Sequence, residues 1–300
     1  MVYWFMAGKK KKSLKYLTKY WKKFLIVQGI LLFLIISLFV IIVVADPKLS
    51  LFPLLHVYQP SPKQYIAKKQ VSSVSLPRQE VMEHGPRDSK KIALTFDADM
   101  TYGMVRMLNN KAVKSWYNKA AIDYLIRENT KATIFFTGLW VATYPKEAKA
   151  IADNPLFEVG NHSYSHPAFT KYCFGLPFID NKADEDEVEL AQKEIIKITG
   201  KAPVFFRFPG GCYDNIDVKT ISRLGLTIIH WDVIGGDGFN NNENSIISNV
   251  LSRTQNGSII VLHLNAGPYA PKTHLALYKI VPELKKRGFE FVTLSELLAK

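Results

Sequence analysis

The run KKIALTFDADM, Lys90 to Met100, closes on two carboxylates, Asp97 and Asp99. Ile92, Leu94 and Phe96 alternate with Ala93 and Thr95, which is strand spacing. An aspartate at the end of such a strand sits in a half-dry setting, where an unpaired charge is costly. Candidate partners follow. GNHSYSHP carries His162 and His166 four residues apart, on one side of a turn that Pro167 keeps from extending into a long helix. Two imidazoles and a carboxylate suit a catalytic divalent cation, leaving positions for water and substrate. RFPGGCYD carries Arg207, able to grip an aspartate by a forked hydrogen bond, whether as a salt bridge alone or as part of a reactive site. Gly210 and Gly211 either let backbone N–H groups approach a substrate oxygen or form an ordinary Pro-Gly turn. VLHL carries His263, a candidate proton donor or a buried structural histidine.

These residues share a position. Strands are predicted at IALTF, ATIFFT, FEVGN, VFFRF, LTIIHW, SIIVLH and FEFVTL. Asp97 and Asp99, His162, Arg207, Asp232 and His263 each fall at the C-terminal end of one of them, the edge where β/α barrels collect catalytic groups. Helices are predicted at Ala112–Glu128, Lys146–Asp153, Lys182–Thr199, Asp217–Leu224, Asn244–Thr254 and His274–Arg287. The third opens with the acidic run DNKADEDE, read as a solvated helix start at the positive end of the dipole. The alternation implies an α/β fold: a distorted (β/α) barrel of about seven parallel strands, with an open doubly wound sheet as the alternative. His230 reads as structural.

The 300 residues are 48% hydrophobic with a formal charge of +13. Eight lysines and no acid lie in residues 1–23, leaving +5 for the rest. The basicity is therefore a local tail, with no nucleic-acid-binding signature beside it. Phe24–Ala45 is 22 residues without a charge. As a helix it would be ~33 Å long, enough to span a bilayer and too long for a signal h-region. Lysines before it predict a cytoplasmic N-terminus and a single-pass anchor, with everything after it extracytoplasmic. The expected organisation is a basic tail over 1–23, a transmembrane helix over 24–45, a Pro-rich linker over 46–89 and a catalytic domain over 90–300.

The motif set resembles the polysaccharide deacetylase family, the NodB-homology domain of carbohydrate esterase family four. TFDAD is similar to its first motif, Thr-Phe-Asp-Asp-Gly; HSYSH to His-Ser/Thr-x-x-His; RFPGG to Arg-x-Pro-x-Gly; and VLH to the strand bearing its catalytic histidine. The closing ELKKRGFEFVTLSELL is similar as well, so the resemblance spans about Lys90 to Leu298. It implies a metal-dependent hydrolase removing N-acetyl groups from an acetylated glycan polymer. His162 and His166 would hold the metal, commonly zinc, with cobalt or another divalent ion as substitutes. Asp97 would be the base, Arg207 its support and His263 the acid. Gly210, Gly211, Tyr213, Trp231 and Leu262 would lie at the substrate or oxyanion side.

Three departures stand out. Ala98 occupies the family's second aspartate, so Asp99 is expected to serve as the metal carboxylate through a bulge or early turn. WDVIGGDG keeps Trp231, Val233 and Asp237, but Ile234 and Gly238 replace the first aspartate and second tryptophan of the fourth motif; Asp232 or Asp237 would then tune the acid histidine, or both would be solvated loop residues. Cys173 and Cys212 follow two of the motifs at the expected pocket rim, and a disulfide or two free thiols are both open. Rival readings are an impaired glycan-binding or scaffold protein and an amidohydrolase of a smaller amide. The sugar and the oligomeric state are left open at this level.

Overall fold

Residues 81–180 and 183–299 are described by a computed structural model. The basic tail, the apolar run Phe24–Ala45 and most of the linker lie outside them; among the described residues no helix is long and apolar enough to cross a membrane.

Nine strands form one sheet: β1 (Val81–Met82), β2 (Lys91–Ala98), β3 (Ala132–Phe136), β4 (Phe157–Asn161), β5 (Phe205–Phe206), β6 (Thr227–Ile229), β7 (Val233–Ile234), β8 (Ile259–His263) and β9 (Glu290–Val292). Their order is β1-β6-β5-β4-β3-β2-β8-β7, with β9 paired to the start of β2, and every pairing is parallel. No pairing joins β1 to β7 among the described residues, so the sheet is a curled half-barrel rather than a closed ring. The seven predicted strands are all present. Two more, β1 and β7, are only two residues long and leave no periodic pattern to read.

β2 runs through the middle of the sheet and is buried on both faces. Ile92, Leu94, Phe96 and Ala98 pack with Ile134, Phe136, Ile260 and Leu262 beneath the helices. Ala93 faces the other way, with Phe135, Phe205, Ile229 and Ile259. Burial of the larger side chains is worth about 1.5–3 kcal/mol each. Strand alternation puts Thr95 and Asp97 on the same side as Ala93, the concave side of the sheet.

The helix predicted over Ala112–Glu128 is replaced by a different layout. Thr101 caps a helix over Tyr102–Asn109 by accepting from Met104 N at 3.1 Å. Lys111 then takes φ 61°, the left-handed region that ends helices. A second helix begins only at Lys119, where the Asn118 side chain accepts from Ala121 N. Between them Trp116 Nε1 donates to Met104 O, and Tyr117 bridges Asn265. Gly138–Thr143 is a further short helix that the sequence reading missed.

The acidic run is not a simple solvated start. In the helix Asp184–Thr199, Asp184 is fully buried. Burial and a hydrogen bond to the Asp217 carboxyl push its pKa up to about 8. An acid with a raised folded pKa holds its proton more tightly folded than unfolded. Its stabilising contribution is complete below the usual carboxylate range near ~4 and is lost as pH rises through about 8. Asp184→Asn cannot ionise, so its melting temperature should gain on that of the unsubstituted protein steadily between about pH 5 and pH 8. A difference that stays flat across that range in calorimetry would count against this account.

Candidate metal centre and cleft

The C-terminal ends of β2, β4 and β8 and the turn after β5 converge. Asp97 is the last-but-one residue of β2 and lies opposite His263 in the β2–β8 ladder. Arg207, fully buried, donates from Nη1 to Asp97 Oδ1 at 2.7 Å and lies 4.1 Å over the Phe135 ring. Gly160 leaves room for that ring, since a Cβ there would sit 2.5 Å from Phe135 Cδ1. The other Asp97 oxygen, Oδ2, faces His162 Nε2 at 3.8 Å.

Asp99 lies just past the strand end. Asn265 clamps its backbone from both sides: Oδ1 accepts from Asp99 N at 3.0 Å, and Nδ2 donates to Asp99 O at 2.8 Å. Thr137 Oγ1 donates to Ala98 O at 3.0 Å. β2 keeps a regular register through Ala98, and these anchors hold the backbone just beyond it so that Asp99 faces the histidines. Asp99 Oδ1 is 3.5 Å from His162 Nε2 and 3.4 Å from His166 Nε2. Asn265 gave no signal in the sequence, because an asparagine two residues past His263 belongs to no motif read there. Removing this clamp with Asn265→Ala should weaken metal affinity about 10–100-fold, the usual cost of losing an outer support, read by competition with a chromogenic chelator.

The histidine segment is a loop, as Pro167 required. Ser163 and His166 have φ 65° and 61°, an unusual conformation for side-chain-bearing residues. Glu187 holds it in place by accepting from Tyr164 N, Ser165 N and Ser165 Oγ at 2.8–2.9 Å. His162 Nδ1 donates to Arg207 O at 2.9 Å, which leaves the Nε2 lone pair facing Asp99.

The donors fit a divalent cation. One nitrogen of each histidine and a carboxylate oxygen lie within 4.8 Å of one another, all buried. Asp99 Oδ1 has no hydrogen-bond partner. Burial holds His166 down to about 4 despite the pull of Asp99, so it stays neutral. Burial also opposes charge on His162, but Asp97 and Asp99 outweigh it and raise its pKa. Arg207 offsets Asp97, so Asp99 is left as a buried charge suited to an added cation.

His263 is held by Asp237. Asp237 Oδ1 accepts from His263 Nδ1 at 2.8 Å, and Oδ2 accepts from His263 N and Thr273 Oγ1 at 2.8 and 2.5 Å. Burial opposes the imidazolium, but the Asp237 carboxylate prevails and lifts His263 to about 10. Its Nε2 points to Asp99 Oδ2 at 3.8 Å. Gly238 is required beside it: a Cβ there would meet His263 Cε1 at 2.9 Å. Backbone therefore flanks the ring where the family's fourth motif has its second tryptophan.

Asp232 is not on this edge. Asp232 lies in the short link between the parallel strands β6 and β7, immediately before β7, and caps the start of β8, accepting from Ile259 N at 2.8 Å and from Arg87 Nη2 at 2.8 Å. Of the residues expected at the substrate side, Gly210 and Trp231 line the cleft. Gly211, Tyr213 and Leu262 do not. The Gly211 N–H donates to Phe208 O, and the missing Cβ makes room for Trp231. Tyr213 stacks on Phe208. Leu262 pairs with Phe96 and so faces the helices, while its neighbour Val261 faces the cleft. His230 stacks on Trp231 with ring centroids 4.0 Å apart. Cys173 and Cys212 form a disulfide.

The strand ends of this parallel half-barrel thus bring together buried carboxylates and histidines that could hold a metal ion. The family profile described as Polysaccharide deacetylase matches residues 84–229. A peptidoglycan-N-acetylglucosamine deacetylase of Bacillus cereus is 31% identical over 217 residues, covering 71% of this chain and 90% of that protein. The solved Bc1960 peptidoglycan N-acetylglucosamine deacetylase superposes with a TM-score of 0.62 at 28% identity, covering 73% of this chain and 92% of that one. A family 4 acetyl xylan esterase from Clostridium thermocellum, solved with a cobalt ion, gives 0.55 at 25% identity and covers 69% and 89%. The chain belongs to the polysaccharide deacetylase family.

Proposed function

We propose that the protein is a divalent-metal-dependent N-deacetylase of a peptidoglycan-like glycan, with Asp99, His162 and His166 as metal ligands. The observation that carries this reading is the convergence of those three donors beside a base held by Arg207 and an acid held by Asp237. When bound, the cation supplies Lewis acidity toward the amide carbonyl and makes a water acidic enough to lose its proton. Asp97 Oδ2 takes that proton, while Arg207 occupies Oδ1 and fixes the carboxylate plane. His263 carries its proton on Nε2 and gives it to the departing sugar nitrogen, which leaves poorly as an anion. Zinc suits two imidazoles and one carboxylate, and cobalt is the natural substitute.

Two of the relatives named above are peptidoglycan-N-acetylglucosamine deacetylases, which supports a cell-wall substrate for this chain. The charge-free run Phe24–Ala45 behind eight lysines supports a single-pass anchor with the catalytic region outside the cytoplasm. A disulfide suits that oxidising side. Protease added to intact protoplasts should then remove residues 90–300 and spare residues 1–23.

The deciding experiment incubates the purified protein, loaded with zinc or cobalt, with peptidoglycan and with chitooligosaccharides, and measures acetate. Metal-dependent acetate release is expected. No acetate from any acetylated glycan with metal bound would favour a glycan-binding or scaffold role. Release from small amides alone would favour an amidohydrolase.

A further inference from the structure

Two phenylalanines stand exposed at the mouth of the cleft. Phe174 is 70% exposed and Phe239 65% exposed, although both line the same cleft as Asp97 and His263. Their rings lie 5.2 Å apart at 40°. They come from separate loops. Phe239 follows the Gly235–Gly238 stretch beside His263, and Phe174 sits in a loop whose ends are tied where Ala168 and Phe178 bridge.

Phe174 is held in an unfavourable conformation. Its φ is 49°, a region that costs a non-glycine residue free energy and persists only where the surroundings over-determine it. The restraint is visible. Cys173, its neighbour, is bonded to Cys212, and the loop lies flat on Gly210. A Cβ on Gly210 would meet Cys173 Sγ at 2.6 Å and Phe174 Cδ2 at 3.3 Å. The disulfide therefore straps the Phe174 loop to the Arg-Pro-Gly turn that carries Arg207.

The chemistry of the mouth identifies its occupant. Apart from the Tyr269 phenol, every ionisable group lining the cleft belongs to the aspartates and histidines of the centre. Around the two rings lie Leu176, Ile234 and Trp231. An uncharged ligand with a flat apolar face fits such a surface, and the C–H face of a pyranose has that character.

We infer that the Phe174–Phe239 pair, strapped in place by Cys173–Cys212, is a stacking platform for a neutral pyranose adjoining the sugar that reacts. This rests on the glycan deacetylase reading. It makes both residues determinants of glycan length preference, and it makes oligosaccharide affinity depend on the disulfide.

The test uses the full-length, metal-loaded protein and the N-acetylglucosamine dimer and tetramer. Calorimetry measures Kd for each, and acetate release gives kcat/KM. Phe174→Ala and Phe239→Ala should each weaken tetramer binding about five- to tenfold and shrink the tetramer-over-dimer advantage in kcat/KM. Phe174→Tyr, still planar, should keep the affinity, and Phe174→Leu, apolar without a ring face, should lose it. Melting temperatures within a degree or two of the parent exclude unfolding as the cause. Dithiothreitol should weaken tetramer binding in the parent but add little in Phe174→Ala. An unchanged tetramer Kd in the alanine variants overturns the platform, and equal weakening by dithiothreitol in parent and Phe174→Ala overturns the strap. Because calorimetry registers binding whether or not acetate is released, tetramer binding with no acetate released would sink the deacetylase reading and leave the platform standing.

Discussion

Replacing Asp99 with alanine should strip stoichiometric zinc from the purified protein and reduce acetate release to background. Asp97→Asn should do something different: keep the metal and lose about 10²–10⁴-fold in kcat, the usual contribution of a positioned base. The two aspartates are two residues apart, yet their surroundings separate them. Asp97 Oδ1 is taken by Arg207 at 2.7 Å, so its remaining oxygen is available to a proton. Asp99 Oδ1 accepts no hydrogen bond and lies 3.4–3.5 Å from two imidazole nitrogens. Atomic absorption and acetate assays on both variants decide the matter. Full metal content in Asp99→Ala would sink the ligand assignment, and metal loss in Asp97→Asn would make it a ligand too.

Asp237→Asn should lower kcat by roughly 10²-fold and move the alkaline limb of the rate profile toward acid. The sign follows from the neighbours of His263. Burial pulls its pKa down, and the Asp237 carboxylate more than reverses that, to about 10. A neutral amide at 237 leaves burial dominant, so the imidazole loses its proton at lower pH and the donor form becomes scarce sooner. The asparagine keeps the shape but can accept through one atom only, so the variant's melting temperature is measured beside the rate profile to separate lost tuning from lost fold. An alkaline limb that does not move would show that the ionisation lies elsewhere. Asp237 escaped a firm assignment from sequence because it sits in a glycine-rich loop, and only the fold reveals its three hydrogen bonds to His263 and Thr273.

What the sequence made legible was the edge. Asp97 and His263 lie at the ends of β2 and β8 and His162 directly follows β4, so the side they share follows from period two once those strands are placed. Asp99 needed more, because its direction depends on a turn set by Asn265, 166 positions away. Asp232 was misplaced for a related reason. β7 follows β6 after His230–Asp232, runs parallel to the rest of the sheet and is too short to show a pattern, so Asp232 comes to the start of β8 instead of the end of a strand. Leu262 was a parity error: one step along β8 exchanges the concave face for the helix side. The helix drawn through Ala112–Asn118 failed because one left-handed residue, Lys111, and one capping asparagine, Asn118, redirect a stretch whose composition is helix-compatible.

The rung that pairs Asp97 with His263 bears on how such a protein changes over time. Asp97 and His263 ride on adjacent strands, and Leu264 N donates to Asp97 O at 2.8 Å just beyond them. Their separation is thus a property of the sheet's hydrogen-bond ladder and owes nothing to the loops. The residues at the mouth sit on a disulfide-tied loop and a glycine-rich loop that the ladder does not include. Lineages, or laboratory libraries, that keep Asp237 can therefore vary the Phe174 loop and the residues around Phe239 while the Asp97–His263 spacing is inherited unchanged.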